Sequence, residues 1–353
     1  VSVAVLPADG AAVVLRGSPA GGSGHLVRDV YLGRPCRYRL ADLVRSDSLA
    51  VLRLHWESVE GLEVVKTISV LDGVRLVRVD YEVTNASGSD ATLGTGFRFG
   101  ATAPDGRVVV RHAGGQMRGT AEELPDASGA SFRSVAWFAL TAPGGDGLAV
   151  VARGGALSQL DLQRPGPDEM VANGWLRALP EGRVLRTRLT LVPVEHMEGL
   201  VSASESHLCA VGMEHVANAC RISLQVLPLL ETVNGRARLE LADPTGAVLS
   251  IDAGRLTLAV GRPTPMTLHW GNPKPGVYDM RLLLPGLPAP LVLGRCRIAA
   301  DGPRLEPSPG RPVGLGRLGT VRPRAGQGGA AGPESRADMF YGGPSERLSV
   351  VRT

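Results

Sequence analysis

Leu49-Ala-Val-Leu-Arg-Leu-His-Trp56, Leu62-Glu-Val-Val-Lys-Thr-Ile-Ser-Val70 and Val74-Arg-Leu-Val-Arg-Val-Asp-Tyr-Glu-Val-Thr84 follow one another, separated by short turns carrying Glu60-Gly61 and Asp72-Gly73. Apolar and polar residues alternate through all three segments, and β-branched residues are frequent. Alternation of period two with glycine-bearing turns predicts consecutive antiparallel strands, each with one buried face. The run ends in the turn Asn85-Ala-Ser-Gly-Ser-Asp90.

Towards the amino terminus, Val1–Leu6 and Ala11–Arg16 read as a hairpin around Ala8-Asp9-Gly10, and Gly17–Gly24 as a loop. Strands Leu26–Leu32 and Cys36–Leu40 lead into the central run. Beyond Phe99, strands are expected at Arg107–His112, Ser134–Thr141, Leu148–Arg153, Leu157–Leu162 and Arg183–Pro193, completing a first domain over 1–194. Ala113–Ser131 reads as a polar, glycine-rich connection without periodicity, which makes it a candidate binding loop.

Met197, Leu200, Val201, Leu208, Val211 and Val216 recur at loosely helical intervals, so 195–220 is read as a short helical linker. Over 221–300, seven short strands about ten residues apart are the pattern of an immunoglobulin-like sandwich. From 301 to 353 glycine and proline dominate and apolar residues are too few for a core, so an extended tail is expected. Arg311, Arg317, Arg322 and Arg324 give that tail positive charge, while Met339, Phe340, Tyr341, Leu348, Val350 and Val351 form small apolar clusters near its end. A flexible spacer followed by such clusters suits docking onto a partner, with a ragged end as the alternative.

The whole chain of 353 residues carries 38 basic and 34 acidic residues, a net charge of +4, which gives no nucleic-acid footprint. Only Lys66 and Lys274 are lysines; the other basic residues are arginines. No apolar run reaches the 18 residues of a membrane span, and the first residue is Val1, so a processed, exported chain is expected in the periplasm or outside the cell, with a trimmed fragment as the alternative. Cys36, Cys209, Cys220 and Cys296 could make two disulfides, with Cys209 and Cys220 near enough in sequence to close a small loop; buried thiols are the alternative.

The segments Leu54-His-Trp-Glu57, Gly61–Val70 and Val74–Ser87, with Ala136-Trp-Phe-Ala139 and Leu179-Pro-Glu-Gly-Arg-Val-Leu-Arg-Thr-Arg-Leu189, resemble the galactose-mutarotase-like supersandwich. They look especially like its version in the periplasmic domain of the bacterial membrane-protein insertase. The resemblance covers roughly residues 1–200. It implies a two-sheet β-sandwich whose concave face, in many members, binds sugars. The epimerase pattern of Asn-His, aromatics, a second His and a distant Glu is missing, since Asn85 is followed by Ala86. The expected fold is therefore all-β, an N-terminal two-sheet supersandwich followed by an immunoglobulin-like sandwich and an extended tail.

Few residues offer chemistry. His112 with Glu122 or Glu123 is the one acid–base pair worth considering, against a surface histidine. His55 and Glu57 share a strand face and read as exposed polar positions. Glu195, His196, Glu198, His207 and His215 cluster in sequence without a zinc-site spacing, so no metal or other cofactor is expected. Serine-hydrolase elbow and P-loop motifs are missing. Asn85-Ala-Ser87 is a formal glycosylation acceptor that turn chemistry also explains. Only fourteen aromatics occur, from 4 Trp, 5 Tyr and 5 Phe, which argues against a polysaccharide-binding face. The expectation is a non-catalytic exported accessory subunit that docks onto other protein subunits, with a carbohydrate-binding or sugar-modifying protein as the rival.

Overall fold

The computed structural model describes residues 27–306 except 32–33, 59–60, 92–94, 103–106, 114, 121–129, 143, 167–168, 176–177, 288 and 300, together with short strands at 4–5 and 13–14. Every regular element among the described residues is a strand. In chain order these are β1 (Ala4–Val5), β2 (Val13–Val14), β3 (Val27–Tyr31), β4 (Arg34–Pro35), β5 (Arg39–Arg45), β6 (Leu49–Glu57), β7 (Leu62–Leu71), β8 (Val77–Asn85) and β9 (Thr95–Thr102). There follow β10 (Arg107–His112), β11 (Gly115–Thr120), β12 (Ala130–Arg133), β13 (Trp137–Thr141), β14 (Gly147–Arg153), β15 (Gln159–Gly166), β16 (Glu169–Trp175) and β17 (Val184–Val194). The remainder are β18 (Leu200–Ala203), β19 (His207–Val216), β20 (Ala219–Pro228), β21 (Val233–Ala242), β22 (Val248–Leu258), β23 (Thr264–Gly271), β24 (Gly276–Leu283), β25 (Leu291–Ala299) and β26 (Gly302–Glu306).

The central run of the sequence forms β6, β7 and β8, paired antiparallel in sequence order. They belong to a nine-stranded sheet of order β11-β10-β13-β14-β17-β8-β7-β6-β5. A six-stranded sheet, β12-β15-β16-β9-β3-β4, covers part of its inner face. Val64, Val79, Tyr81 and Val83 from the larger sheet meet Phe132, Leu160 and Leu162 from the smaller in one core. The alternation of β8 is complete, every second residue from Val77 to Asn85 being buried.

A second sandwich pairs a four-stranded sheet, β18-β19-β20-β23, with a five-stranded one, β22-β21-β24-β25-β26. Ile222, Leu224 and Leu268 face Leu239, Leu282 and Ile298 in its core. A third apolar cluster joins the two sandwiches: Val109, Ala139, Ala149 and Val192 on the outer face of the nine-stranded sheet meet Leu208, Ala210 and Leu227 on the outer face of the four-stranded one.

This stacking explains where the sequence misleads. No helix forms over 195–220; the segment contains β18, β19 and the start of β20. Leu208 and Ala210 face the junction while Cys209 and Val211 face the second core, so β19 is apolar on both sides and loses its alternation. Ala113–Ser131 is not a plain connection, because Gly115–Thr120 pairs with β10 along the sheet edge and β12 begins at Ala130. An edge strand held by main-chain bonds needs no apolar period. Two of the seven strands expected over 221–300, read at Val248–Asp252 and Arg255–Val260, fuse into the single strand β22, bulged at Ala253 between the pairs Ala237↔Gly254 and Arg238↔Asp252. The tail starts later than 301, since Gly302–Glu306 pairs with β25 and Leu305 packs on the second core. Arg311, Arg317, Arg322, Arg324, Met339, Phe340, Tyr341, Leu348, Val350 and Val351 lie outside the described residues.

Candidate functional site

Strand register places Leu54, Lys66, Tyr81 and Thr187 side by side across β6, β7, β8 and β17. Tyr81 and the flanking Val64, Val79 and Val83 lie in the inner core, so this row crosses the inner face. Lys66 occupies a position where alternation calls for an apolar side chain, and it is 7% exposed. Its Nζ lies 5.3 Å from the ring centre of Tyr81 and 5.5 Å from that of Tyr38, within range of the rings' negative faces. Lys66 Nζ thus lies beside two aromatic rings on the inner face. Thr187, next in the row, has a buried hydroxyl without a hydrogen-bond partner among the described residues.

The same row leads outward to Leu40 on β5, which pairs with Leu54. β5 is the last strand of the nine-stranded sheet, and all seven of its residues are exposed. Leu40 and Leu43 continue the inner face, and Val44 the outer, with Ala41 as a bulge between the paired positions Leu40 and Asp42. Leu40 is 64%, Leu43 62% and Val44 51% exposed. Among the described residues no strand pairs with the outer side of β5, and such an edge offers unpaired main-chain donors and acceptors, which natural sheets ordinarily protect. Here the bulge and the charges of Arg39, Asp42 and Arg45 give some protection, yet three large apolar side chains remain in solvent.

The junction between the sandwiches is the third charged region. Glu205 pairs with Arg153, Nε to Oε2 2.8 Å, and lies 3.6 Å from Arg188 Nη1, while Arg188 Nε donates to Asp80 at 2.6 Å. The hydrogen bond to Asp80, followed by the charges of Asp80 and Glu205, raises the Arg188 pKa against the opposing effect of burial. Arg107 pairs with Glu198 at 2.7 Å and Arg75 pairs with Glu195.

The structure disperses the sequence-singled acids and histidines. Glu195 and Glu198 are held by these arginines, His196 donates its backbone N–H to Asp146, and His215 is exposed near the end of β19. His207 is 1% exposed, with neither ring nitrogen hydrogen-bonded among the described residues, and burial lowers its pKa against a raising influence from Glu231. No group of three or more metal-ligating side chains occurs among the described residues. His55 accepts from Arg39 at 3.1 Å on the outer face, and Glu57 is exposed. His112 packs its ring 5.3 Å from Phe132, whereas Glu122 and Glu123 lie outside the described residues. Asn85 is fully buried, and its side-chain amide donates to the carbonyls of Ser89 and Leu179, so the formal glycosylation acceptor is a turn anchor.

The Cys209–Cys220 bridge raised as a possibility is not formed, and all four cysteines, Cys36, Cys209, Cys220 and Cys296, are unbridged thiols in the structure. Cys209 pairs with Val226 and Cys220 with His215 in one hairpin, six positions apart along β20, a separation of roughly 20 Å at strand rise. Closeness in sequence misled because the tight turn at Ala217-Asn218 lies beside Cys220 and far from Cys209.

Sequence reasoning missed Lys66 and the β5 edge. A signal for Lys66 was present, since a lone lysine interrupts the apolar positions Leu62, Val64, Ile68 and Val70. For β5 the only signal was its three charges, Arg39, Asp42 and Arg45, in seven residues, which fits an edge strand without specifying one.

No protein-family model and no curated protein matches the chain. Among solved structures it is similar to the Slr1438 protein of Synechocystis sp. PCC 6803, with 11% identity over 45% of this chain and 66% of that one, at a TM-score of 0.34. A galactose mutarotase-like protein of Lactobacillus casei ATCC 334 shows 14% identity over 45% of this chain and 74% of its own, at a TM-score of 0.33. A TPR-domain containing protein of Parabacteroides distasonis ATCC 8503 shows 12% identity over 53% and 42%, at 0.36. The chain thus spans just under two thirds of the first of these and less than half of the third. No catalytic residue of this chain follows from these likenesses.

Proposed function

We propose that this chain is a non-catalytic, exported accessory subunit that docks onto a larger protein assembly by adding its β5 edge to an extended segment of a partner. The observation that carries the reading is the exposure of Leu40 and Leu43 on one face of β5 and Val44 on the other, each more than half exposed on a strand that has no partner on its outer side among the described residues. Strand addition draws affinity from main-chain hydrogen bonds and specificity from alternate side chains. The partner segment suited to this edge is apolar at alternate positions, with acidic residues opposite Arg39 and Arg45. The apolar junction and the Glu205 pairs suit such a role, since they hold the second sandwich firmly on the first. The second sandwich is read as immunoglobulin-like. Its support is strand order, with β20 pairing with β23 while the intervening β21 and β22 lie in the opposite sheet. The arginine-bearing tail is a second contact in this reading.

Gentle isolation from the native source tests it by comparing three forms by size: the unaltered full chain, the full chain carrying Leu40→Lys with Leu43→Lys, and a shortened chain ending at Gly310. The unaltered chain is expected to travel in a large assembly that the edge variant does not enter. Equal assembly of the edge variant overturns the role of β5, and equal assembly of the shortened chain overturns that of the tail. Free monomers in all three favour the rival sugar-directed reading. Its one supporting observation is the Lys66 cation between Tyr38 and Tyr81 on the inner face, and titration of the full chain with monosaccharides would then decide it.

A further inference from the structure

Cys220 lies on β20 of the four-stranded sheet and Cys296 on β25 of the five-stranded sheet, and both are fully buried in the core between them. In register, Cys220 is the lateral neighbour of Trp270, and Cys296 is the lateral neighbour of Tyr278. Trp270 and Tyr278 themselves touch across the core, edge to face, with ring centres 4.8 Å apart. The two sheets stack in one sense, with β22 against β23 and β26 against β19. Stepping from Trp270 to Cys220, and from Tyr278 to Cys296, therefore moves in the same direction across the sandwich. Both steps end at a sulfur facing the opposite sheet.

We propose that Cys220 and Cys296 form a disulfide that staples the two sheets of the second sandwich when the chain folds in the presence of a small-molecule disulfide. The first thiolate attacks the donor disulfide, forming a mixed disulfide and releasing one small thiol. The second thiolate attacks the protein-bound sulfur of that mixed disulfide and releases the other. The donor gains two electrons and two protons, and the protein loses two hydrogens.

Burial, the larger cause, and the neighbouring Cys220 push the Cys296 thiol up to about 12, and burial pushes Cys220 up to about 11. In the packed core both are unreactive thiols, so the bond must form before the sandwich closes. Closing it needs the two Cα atoms within about 7 Å, nearer than the usual face-to-face spacing of about 10 Å. The β25 bulge supplies bending close by. Leu293 is the extra residue between the pairs Met280↔Gly294 and Arg281↔Val292, and Gly294 has φ +97. Cys209 is excluded by its distance along the hairpin, and its thiol, pushed up to about 12 by burial alone, has no such partner across the core.

The full chain, unfolded and reduced, is refolded either with oxidised and reduced glutathione or with reduced glutathione alone. Free thiols are then alkylated under denaturing conditions, and peptides are mapped without reduction. The proposal expects one peptide pair containing Cys220 and Cys296, two hydrogens lighter than the separate peptides, with Cys36 and Cys209 alkylated. It also expects the oxidised form to melt several degrees above the reduced one, and tryptophan emission to change as Trp270 repacks against Tyr278. Alkylation of all four cysteines after oxidative refolding overturns it, as does a linked peptide containing Cys209. Cys296→Ala keeps the test decisive should yields be poor: its melting temperature is expected to be the same under both conditions. A persistent difference in that variant assigns the effect elsewhere and overturns the proposal.

Discussion

Glu205 Oε2 forms an ion pair with Arg153 Nε at 2.8 Å across the junction, fixing a carboxylate of the second sandwich against the outer face of the first. The Glu205 side chain is only 10% exposed, whereas that of Arg153 is 67% exposed. Loss of the carboxylate therefore strands no deeply buried cation, and Arg188 keeps Asp80. Glu205→Gln is expected to cost about 1–2 kcal/mol, between the value of an exposed pair and that of a buried one. Urea unfolding checks this. An unchanged midpoint would show that the apolar cluster around Leu208 and Ala139 holds the junction unaided.

His207 gives the protein an acid-sensitive term. Burial lowers its folded pKa below the usual 6.5, so the unfolded chain binds the proton more readily. Stability contributed by the neutral ring is complete above the unfolded value, falls as pH drops through about 6.5, and levels off below the folded value. Within that window a single titrating group gives a slope of at most about 1.4 kcal/mol per pH unit. His207→Leu is expected to flatten the dependence of the unfolding free energy between pH 7 and 5. An identical slope in the variant would place the sensitivity in other groups.

The strands around the first core were legible because each has one wet face. β8, with every second residue buried, is the clearest case. Legibility failed where a strand has two dry faces and no β-branched run, as in β19, which reads as loosely helical; β13, with all five residues Trp137–Thr141 buried, was still read as a strand. It failed too where no face decides, as in the glycine-bearing edge β11. For the candidate site, Lys66 was visible as a break in an apolar register, but the Tyr38 ring that faces it comes from 28 residues earlier. The exposure of β5 depends on where the sheet ends, which no local pattern encodes.

Lys66 should tolerate a neutral chain far better than a reversed charge. Lys66→Met keeps an unbranched stem between the Tyr38 and Tyr81 rings and is expected to cost no more than about 2 kcal/mol. Lys66→Glu turns a buried carboxylate towards the negative ring faces and is expected to cost about 3 kcal/mol or more. Thermal melting of the two variants checks the order. Equal losses would mean that the ammonium is solvated rather than held by the rings.

Gly145 and Gly182 separate backbone strain from close approach. Both have positive φ, +84 and +66. A Cβ on Gly145 would stand 2.4 Å from the backbone nitrogen of Glu198 and 2.6 Å from the carbonyl carbon of Met197, where the chain enters the second sandwich, whereas a Cβ on Gly182 meets nothing within 4 Å. Gly182→Ala therefore carries only the conformational cost of about 1 kcal/mol. Gly145→Ala adds a backbone clash that no side-chain rotation relieves, and a total loss of about 3 kcal/mol or more is expected. Because the clash lies at the junction, Gly145→Ala should also expose the segment around Met197 to limited proteolysis, while Gly182→Ala leaves the digestion pattern unchanged. Similar melting temperatures and digestion patterns for the two variants would mean that the 195–199 segment can shift freely, and the firm junction inferred from the Glu205 pairs and the apolar cluster would have to be abandoned.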